Sequence, residues 1–285
     1  PGLFFFPRGM ETRLAALRAE VSAPERIKFT APCLLLHGLW SGGWMWHAVA
    51  GALARRGWEC WALDLRGRPG SRPVTAVGTV RLDDYAEDVT GAARALWAPP
   101  VICGHDLGAL LAVLTAAVIR PRALILLAPV LPRVRGVKVR PPLPLASLAA
   151  VPALLWGRPL RPPRPAVARD FLFNALPPAL QDQLHRRLQP DSGTVARALT
   201  RGQVCLPETP PRCPVLIARG GEDRMSSPAA VRHLASRLGA DSREYPQHGH
   251  WLTAGSLAEK LAADVHRWLI QSLGESLLMP HEEDV

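Results

Sequence analysis

The stretch Val101-Ile-Cys-Gly-His-Asp-Leu-Gly-Ala-Leu-Leu-Ala112 decides the fold of this chain. A short apolar run stops at Gly104-His-Asp-Leu-Gly108 and restarts with helical spacing, which predicts a strand over Val101–Cys103, a sharp elbow, and a helix over Asp106–Ile119. Two residues without a β-carbon let the chain swing from strand to helix at once. The side chain between them, Asp106, is pushed outward. An aspartate that merely capped the helix would need neither glycine.

Working outward, the same grammar repeats. Cys33-Leu-Leu-Leu-His37, Trp58–Leu65 and Ala123–Ala128 are continuous apolar runs of strand length, and helical patterns over Ala48–Arg56 and Leu82–Trp97 lie between them. Alternation of buried strand and helix implies a parallel sheet with helical crossovers. From Pro129 a run of prolines breaks the alternation until Pro214-Val-Leu-Ile-Ala218. Helical patterns in between (Leu145–Leu155, Ala166–Leu172, Pro178–Leu188, Gly193–Arg201) predict a helical cap inserted into the core. The expected division is a core over 1–130 and 214–285 with a cap over 131–213. A helix over Pro228–Leu238, a strand over Ser242–Tyr245 and a helix over Ser256–Leu273 complete the core, and the last dozen residues are expected to be a solvated tail. At the other end, Met10–Val21 reads as a helix and Arg26–Phe29 as a short strand.

Composition narrows the class. Hydrophobic content of 48% against 20% charged residues is that of a globular protein with ample core. The net charge of +10 would suit nucleic acid, but lysine occurs only at 28, 138 and 260, and the arginines are spread along the chain, most densely over Arg133–Arg164. With no basic stripe interleaved with aromatics, no nucleic-acid partner is expected. The apolar runs are too short or too broken by proline to span a bilayer, and Leu3-Phe-Phe-Phe6 lacks a preceding basic residue, so neither membrane insertion nor a secretory signal is expected. Cysteines at 33, 60, 103, 205 and 213 are odd in number and form no Cys-x-x-Cys pair, which fits a reducing, cytoplasmic setting. No metal-ligand spacing and no Gly-x-Gly-x-x-Gly loop appears, so no cofactor is expected.

An outward-facing nucleophile needs a base, and the base needs an orienting acid. Asp223 follows a buried strand in Arg219-Gly-Gly-Glu-Asp223, and His250 follows the last strand in Gly249-His-Trp251. The order Asp106, Asp223, His250 is that of a strand-elbow nucleophile, its acid and its histidine. His248 competes with His250, but the flanking Gly249 and Trp251 favour the latter. His37 and His105 sit in tight turns and are not expected to relay protons.

On Leu36-His-Gly38, the elbow at 104–108, Asp223 and Gly249-His250, the chain resembles the α/β-hydrolase fold superfamily from Ala31 to Leu273. With Arg81-Leu-Asp-Asp-Tyr-Ala-Glu-Asp-Val89 ahead of the elbow, the body looks like bacterial esterases and lysophospholipases. Those carry serine where this chain has Asp106, and aspartate there is similar to epoxide hydrolases and haloalkane dehalogenases. The resemblance implies an oxyanion hole at the amides of Leu39 and Leu107, and attack by Asp106 on saturated carbon. A carboxylate attacking an ester would give a labile anhydride, whereas attack on an epoxide or alkyl halide leaves an ester that a His250-activated water can cleave.

Each relative of this kind needs a further device. Dehalogenases similar to this fold place tryptophan after the nucleophile, where this chain has Leu107, and a second donor that Leu39 does not supply. Fluoroacetate-type enzymes add arginines after the nucleophile, and Gly108-Ala-Leu-Leu111 has none. Epoxide hydrolases use cap tyrosines, whereas the two tyrosines here, Tyr85 and Tyr245, fall outside the expected cap. His185, Trp156, Asn174 and Gln181 are the cap's candidate donors, His185 foremost. Trp40, His105, Trp156, His185 and Trp251 are the candidate substrate contacts. The expectation is therefore a cofactor-independent hydrolase acting on a small apolar epoxide, with an alkyl halide as alternative. A ligand-binding or lyase-type protein derived from a serine esterase is the reading from another class. Oligomeric state is open.

Overall fold

The computed structural model describes residues 9–131 and 150–279. Eight strands form one sheet: β1 (Met10–Leu14), β2 (Leu17–Ser22), β3 (Cys33–Leu36), β4 (Cys60–Asp64), β5 (Val101–His105), β6 (Ala123–Leu127), β7 (Val215–Gly220) and β8 (Asp241–Tyr245). Their spatial order is β1-β2-β4-β3-β5-β6-β7-β8, antiparallel for β1 with β2 and β2 with β4, parallel throughout the rest. Every residue of β3 to β7 is buried, which is why these strands read as unbroken apolar runs.

The order of strands places the helices. The chain steps from β3 to β4 through α1 (His47–Ala54), then reverses direction and crosses to β5 through α2 (Leu82–Ala95) and on to β6 through α3 (Leu107–Ala116). Right-handed crossovers taken in opposite directions put α1 on one face and α2 and α3 on the other. Accordingly α2 packs on α3. The reversal leaves a crevice between the carboxyl ends of β3 and β5, the place where ligands bind in open sheets of this kind. Both the turn after His37 and the elbow at Asp106 open into it.

Between β6 and β7 the described residues form α4 (Val151–Trp156), α5 (Pro165–Phe171), α6 (Pro178–His185) and α7 (Gly193–Arg201), a helical insertion in which α4 packs on α7. Proline begins α5 and α6, where its missing N–H is no loss, and Gly157 and Gly202 close α4 and α7 in the left-handed conformation. The start of the expected helix 145–155 and the end of the expected tail lie outside the described residues. Helix α8 (Pro228–Leu238) and helix α9 (Leu257–Leu273) follow β7 and β8, and α9 packs on α1.

Three expectations are corrected. Met10–Val21 is a hairpin, β1 to β2, because Leu17, Ala19 and Val21 alternate into the core at 0% exposure while Ala15 and Ala16 take φ of 49° and 69°. Two consecutive residues with positive φ make the tight turn that matches strand twist. Arg26–Phe29 forms no strand, only a bridge from Phe29 to Leu278. That bridge also ties down the expected tail, since Leu277 is fully buried and its carbonyl accepts the Thr30 amide at 2.8 Å.

Candidate active site

The elbow is held by close backbone contacts. A β-carbon on Gly104 would lie 2.2 Å from the Gly108 carbonyl oxygen, and one on Gly108 would lie 2.2 Å from that of Leu36. No side chain fits at either position, so α3 begins directly against β3 and β5. The turn places Asp106 at φ 53°, ψ −116°, a conformation that residues with a β-carbon rarely adopt. Asp106 occupies the residue before α3, yet it makes no side-chain cap of the usual kind.

Instead its carboxylate is divided between two tasks. The Leu39 amide donates to Oδ2 at 2.8 Å, and the Leu107 amide at the start of α3 favours the charged form of the carboxylate. Among the described residues Oδ1 is buried and accepts no hydrogen bond, and it lies 3.8 Å from Nε2 of His250. Of the two expected oxyanion-hole amides, that of Leu39 therefore holds one oxygen, and the other oxygen faces the histidine. Burial pushes the Asp106 carboxyl above its ordinary range, outweighing the His250 charge and the two amides that pull it down.

His250 and Asp223 complete the constellation. Both Asp223 oxygens stand 3.2 Å from Nδ1 of His250, and the amides of Met225 and Ser226 donate to Asp223 Oδ1 at 2.7 and 3.0 Å. Burial disfavours the imidazolium, but the Asp223 charge and hydrogen bond, with Asp106 behind them, prevail and hold His250 above its ordinary value. Burial likewise works against the Asp223 carboxylate, and His250 and the two amides overcome it, keeping Asp223 below the usual carboxylate range. With Nδ1–H directed at Asp223, Nε2 is the nitrogen free to take a proton.

The two turn histidines are held by the backbone around them, with Nδ1 of His105 buried and unpartnered among the described residues. Burial, and the Arg68 charge after it, push His37 down to about 4, and its ring takes the Leu65 amide at 3.1 Å on Nε2 while Nδ1–H donates to the Gly38 carbonyl at 2.8 Å. His105 is pushed down to about 3 by burial and by the His250 charge. As a neutral ring it donates from Nε2 to the His250 carbonyl at 2.9 Å, fixing the loop that carries His250.

Of the other candidate contacts, Trp251 packs against His105, Phe173 and Trp44 with ring centres 5.7, 5.0 and 5.7 Å away. Trp40 is buried with its indole N–H donating to the Leu160 carbonyl at 3.2 Å. Trp156 is 68% exposed on α4, and His185 donates from Nε2 to the Pro163 carbonyl at 3.0 Å. Asn174 bonds the Glu222 carbonyl at 2.7 Å, which braces the inserted segment against the Asp223 loop. The hydroxyls of Tyr85 and Tyr245 are committed to Asp191 and Asp264 at 3.1 Å each. Sequence reasoning missed Asp191 and Arg68, a buried ion pair beside the Trp40 loop. Arg68 is one of many arginines in a proline-rich loop, and Asp191 precedes the serine that caps α7, so nothing in either setting marks a buried partner.

Among the described residues no three His, Cys, Asp or Glu side chains could hold a metal ion, and no helix is long and apolar enough to cross a membrane. No curated protein sequence matches the chain. Solved structures do resemble it: a thermophilic esterase from Thermogutta terrifontis, at 19% identity over 92% of this chain and 99% of that one with a TM-score of 0.68, and a soluble variant of monoglyceride lipase from Saccharomyces cerevisiae, at 13% over 94% and 96% with 0.70. An epoxide hydrolase from Vigna radiata matches at 15% over 92% and 97% with 0.64. At these identities the likeness speaks for the fold. The model of the alpha/beta hydrolase family matches residues 33–264, and the chain belongs to that family.

Proposed function

We propose that the protein is a cofactor-independent hydrolase in which Asp106 opens a small apolar epoxide through a covalent alkyl-enzyme ester. The observation that carries this reading is the division of the Asp106 carboxylate, with Oδ2 on the Leu39 amide at 2.8 Å and Oδ1 accepting no hydrogen bond among the described residues. Oδ1 attacks the epoxide carbon, the C–O bond breaks, and the epoxide oxygen takes a proton from solvent water to become a hydroxyl, a proton that the regenerated Asp106 carboxyl gives back to solvent at the end of the cycle. In the resulting ester Oδ2 is the carbonyl oxygen, already seated on the Leu39 amide that must hold it when it becomes an oxyanion.

His250 then removes a proton from a water that attacks Cγ of Asp106. The tetrahedral intermediate collapses with cleavage of the bond between Cγ and Oδ1, His250 returns the proton to the departing alkoxide, and a diol leaves. The alternative electrophile, an alkyl halide, would want side-chain N–H donors for the halide. Leu39 and Leu107 offer none, and the indole of Trp40 is already bonded to Leu160.

The test follows the oxygen atoms. In a single turnover of styrene oxide in ¹⁸O-water with enzyme in excess, the label enters Asp106 and the diol stays unlabelled, because the diol keeps the aspartate's own oxygen. Label in the diol instead means direct attack by water. His250→Ala should trap the adduct on Asp106 by intact mass. No adduct across epoxides and haloalkanes, with Asp106→Asn still binding ligand, would return the fold to the ligand-binding or lyase-type reading.

A further inference from the structure

We infer that the buried pair Arg68–Asp191 positions the oxyanion amide of Leu39, so that Asp191, reaching in from the inserted helical segment, governs hydrolysis of the covalent intermediate. This rests on the alkyl-enzyme route proposed above.

Residues 38–41 are fastened at almost every backbone group. The Gly38 carbonyl accepts from Ser41 Oγ at 2.9 Å, the Trp40 amide donates to Asp191 Oδ2 at 2.9 Å, and the Trp40 carbonyl accepts the Gln189 amide at 2.8 Å. The Ser41 carbonyl accepts from Arg68 Nε at 2.6 Å. Trp40 itself sits at φ 61°, a left-handed conformation that is unfavourable for a residue with a β-carbon and persists only where the surroundings impose it. Here the imposing groups are Asp191 and Gln189 on one side and Arg68 on the other. The peptide they grip is the one that follows Leu39, the residue whose amide holds Asp106.

The pair is built to be rigid. Arg68 and Asp191 side chains are 3% and 1% exposed. Arg68 also donates from Nη1 to the Pro190 carbonyl at 3.1 Å, and Asp191 Oδ1 accepts from Tyr85 Oη at 3.1 Å and from the Ser192 amide at 2.7 Å. A buried ion pair with its remaining polar sites satisfied holds one geometry, whatever its net contribution to stability. The two reaction steps depend on that geometry unequally. In alkylation the carboxylate loses charge, so the Leu39 amide matters less as the step proceeds. In hydrolysis Oδ2 gains charge, and a displaced amide is felt in full.

Single-turnover kinetics with styrene oxide separate the steps, with adduct followed by rapid quench and intact mass. For Asp191→Asn we expect adduct hydrolysis to slow at least tenfold, alkylation to change less than about threefold, and adduct to accumulate in the steady state. The paired variant Arg68→Met/Asp191→Leu removes both charges together and keeps the protein foldable if the single variant is not. It should show the same split, and Tyr85→Phe, which leaves the ion pair in place, a smaller one. A loss confined to the fraction of active enzyme, or an equal slowing of both steps, would overturn the inference. Absence of adduct in His250→Ala would instead remove the alkyl-enzyme route on which it rests.

Discussion

The Leu39 amide lies 2.8 Å from Oδ2 of Asp106, while His250 Nε2 faces Oδ1 at 3.8 Å, so the amide and the base address different oxygens of one carboxylate. A carboxylate waiting for an electrophile needs one oxygen free, and an ester waiting for water needs the other in an anion hole. On the proposed route the resting carboxylate meets both needs, with Oδ1 unbonded among the described residues and Oδ2 on the Leu39 amide.

Two titrations follow, one for each step. Alkylation needs Asp106 ionised, and burial raises that carboxyl above its ordinary 3.8. The alkylation rate should therefore rise with pH through a midpoint above the usual carboxylate range. Hydrolysis needs His250 neutral, and Asp223 holds it above 6.5 against burial. Adduct hydrolysis should rise through a midpoint on the alkaline side of 6.5, and Asp223→Asn should both slow it and move the midpoint down. Rapid-quench rates across the pH range check this, and a flat hydrolysis profile from about pH 6 to 9 would exclude His250 as the base.

A second expectation concerns stability. A carboxyl whose folded pKa is raised contributes stability that is complete below its unfolded value and is lost as pH rises through the folded value. At neutral pH the charged Asp106 is thus a burden on the fold. Asp106→Asn keeps the shape and removes the charge, so its Tm should exceed the parent's at about pH 7.5, by roughly 2–4 °C for each kcal/mol recovered. The advantage should shrink towards pH 4. Calorimetry at both pH values decides it, and equal Tm values at pH 7.5 would mean that the charge is well solvated.

The glycines divide fold from site. A β-carbon on Gly38 would fall 2.6 Å from Cβ and 2.7 Å from Oδ2 of Asp106, whereas one on Gly108 would strike the Leu36 backbone. Gly38→Ala should leave Tm within a few degrees of the parent and remove adduct formation. Gly108→Ala should lower Tm sharply or prevent folding, because backbone cannot retreat as a side chain can. Thermal melts beside adduct mass spectra separate the two outcomes.

This division also explains what the sequence revealed. The elbow, the buried strands and the order Asp106, Asp223, His250 are local signals: apolar runs of strand length, and glycines where backbones meet. The hairpin at Ala15-Ala16 was illegible because alanines occupy a turn that usually signals itself with Asn-Gly, and Leu14, Leu17 and Val21 fit helical spacing equally well. The start of the expected tail is packed rather than solvated, and this is illegible locally because burial of Leu277 depends on Thr30 and Phe29, far away in sequence. Arg68 and Asp191 went unseen for the same reason. A buried ion pair joining two loops is a tertiary fact, and each partner alone looks like a surface residue.

The final prediction exchanges the nucleophile. Asp106→Ser would set a hydroxyl on the same β-carbon, shorter by one bond than the carboxylate, in the turn that faces His250. The amide of Leu39, which now holds Oδ2, would be released to bind the carbonyl oxygen of an ester, with the Leu107 amide as the second expected donor. Serine attack on an acyl carbon then gives an ester that the same His250 and water can cleave, so the variant should lose epoxide opening and gain hydrolysis of p-nitrophenyl acetate. One oxyanion donor contributes about 10²- to 10³-fold in rate, so the gain over Asp106→Ala should be at least of that order, with an initial burst marking acylation. If the serine variant is no faster than the alanine one, then the elbow, the amides and His250 do not form a working acyl-transfer geometry, and the reading of this site as an esterase frame carrying a carboxylate fails with it.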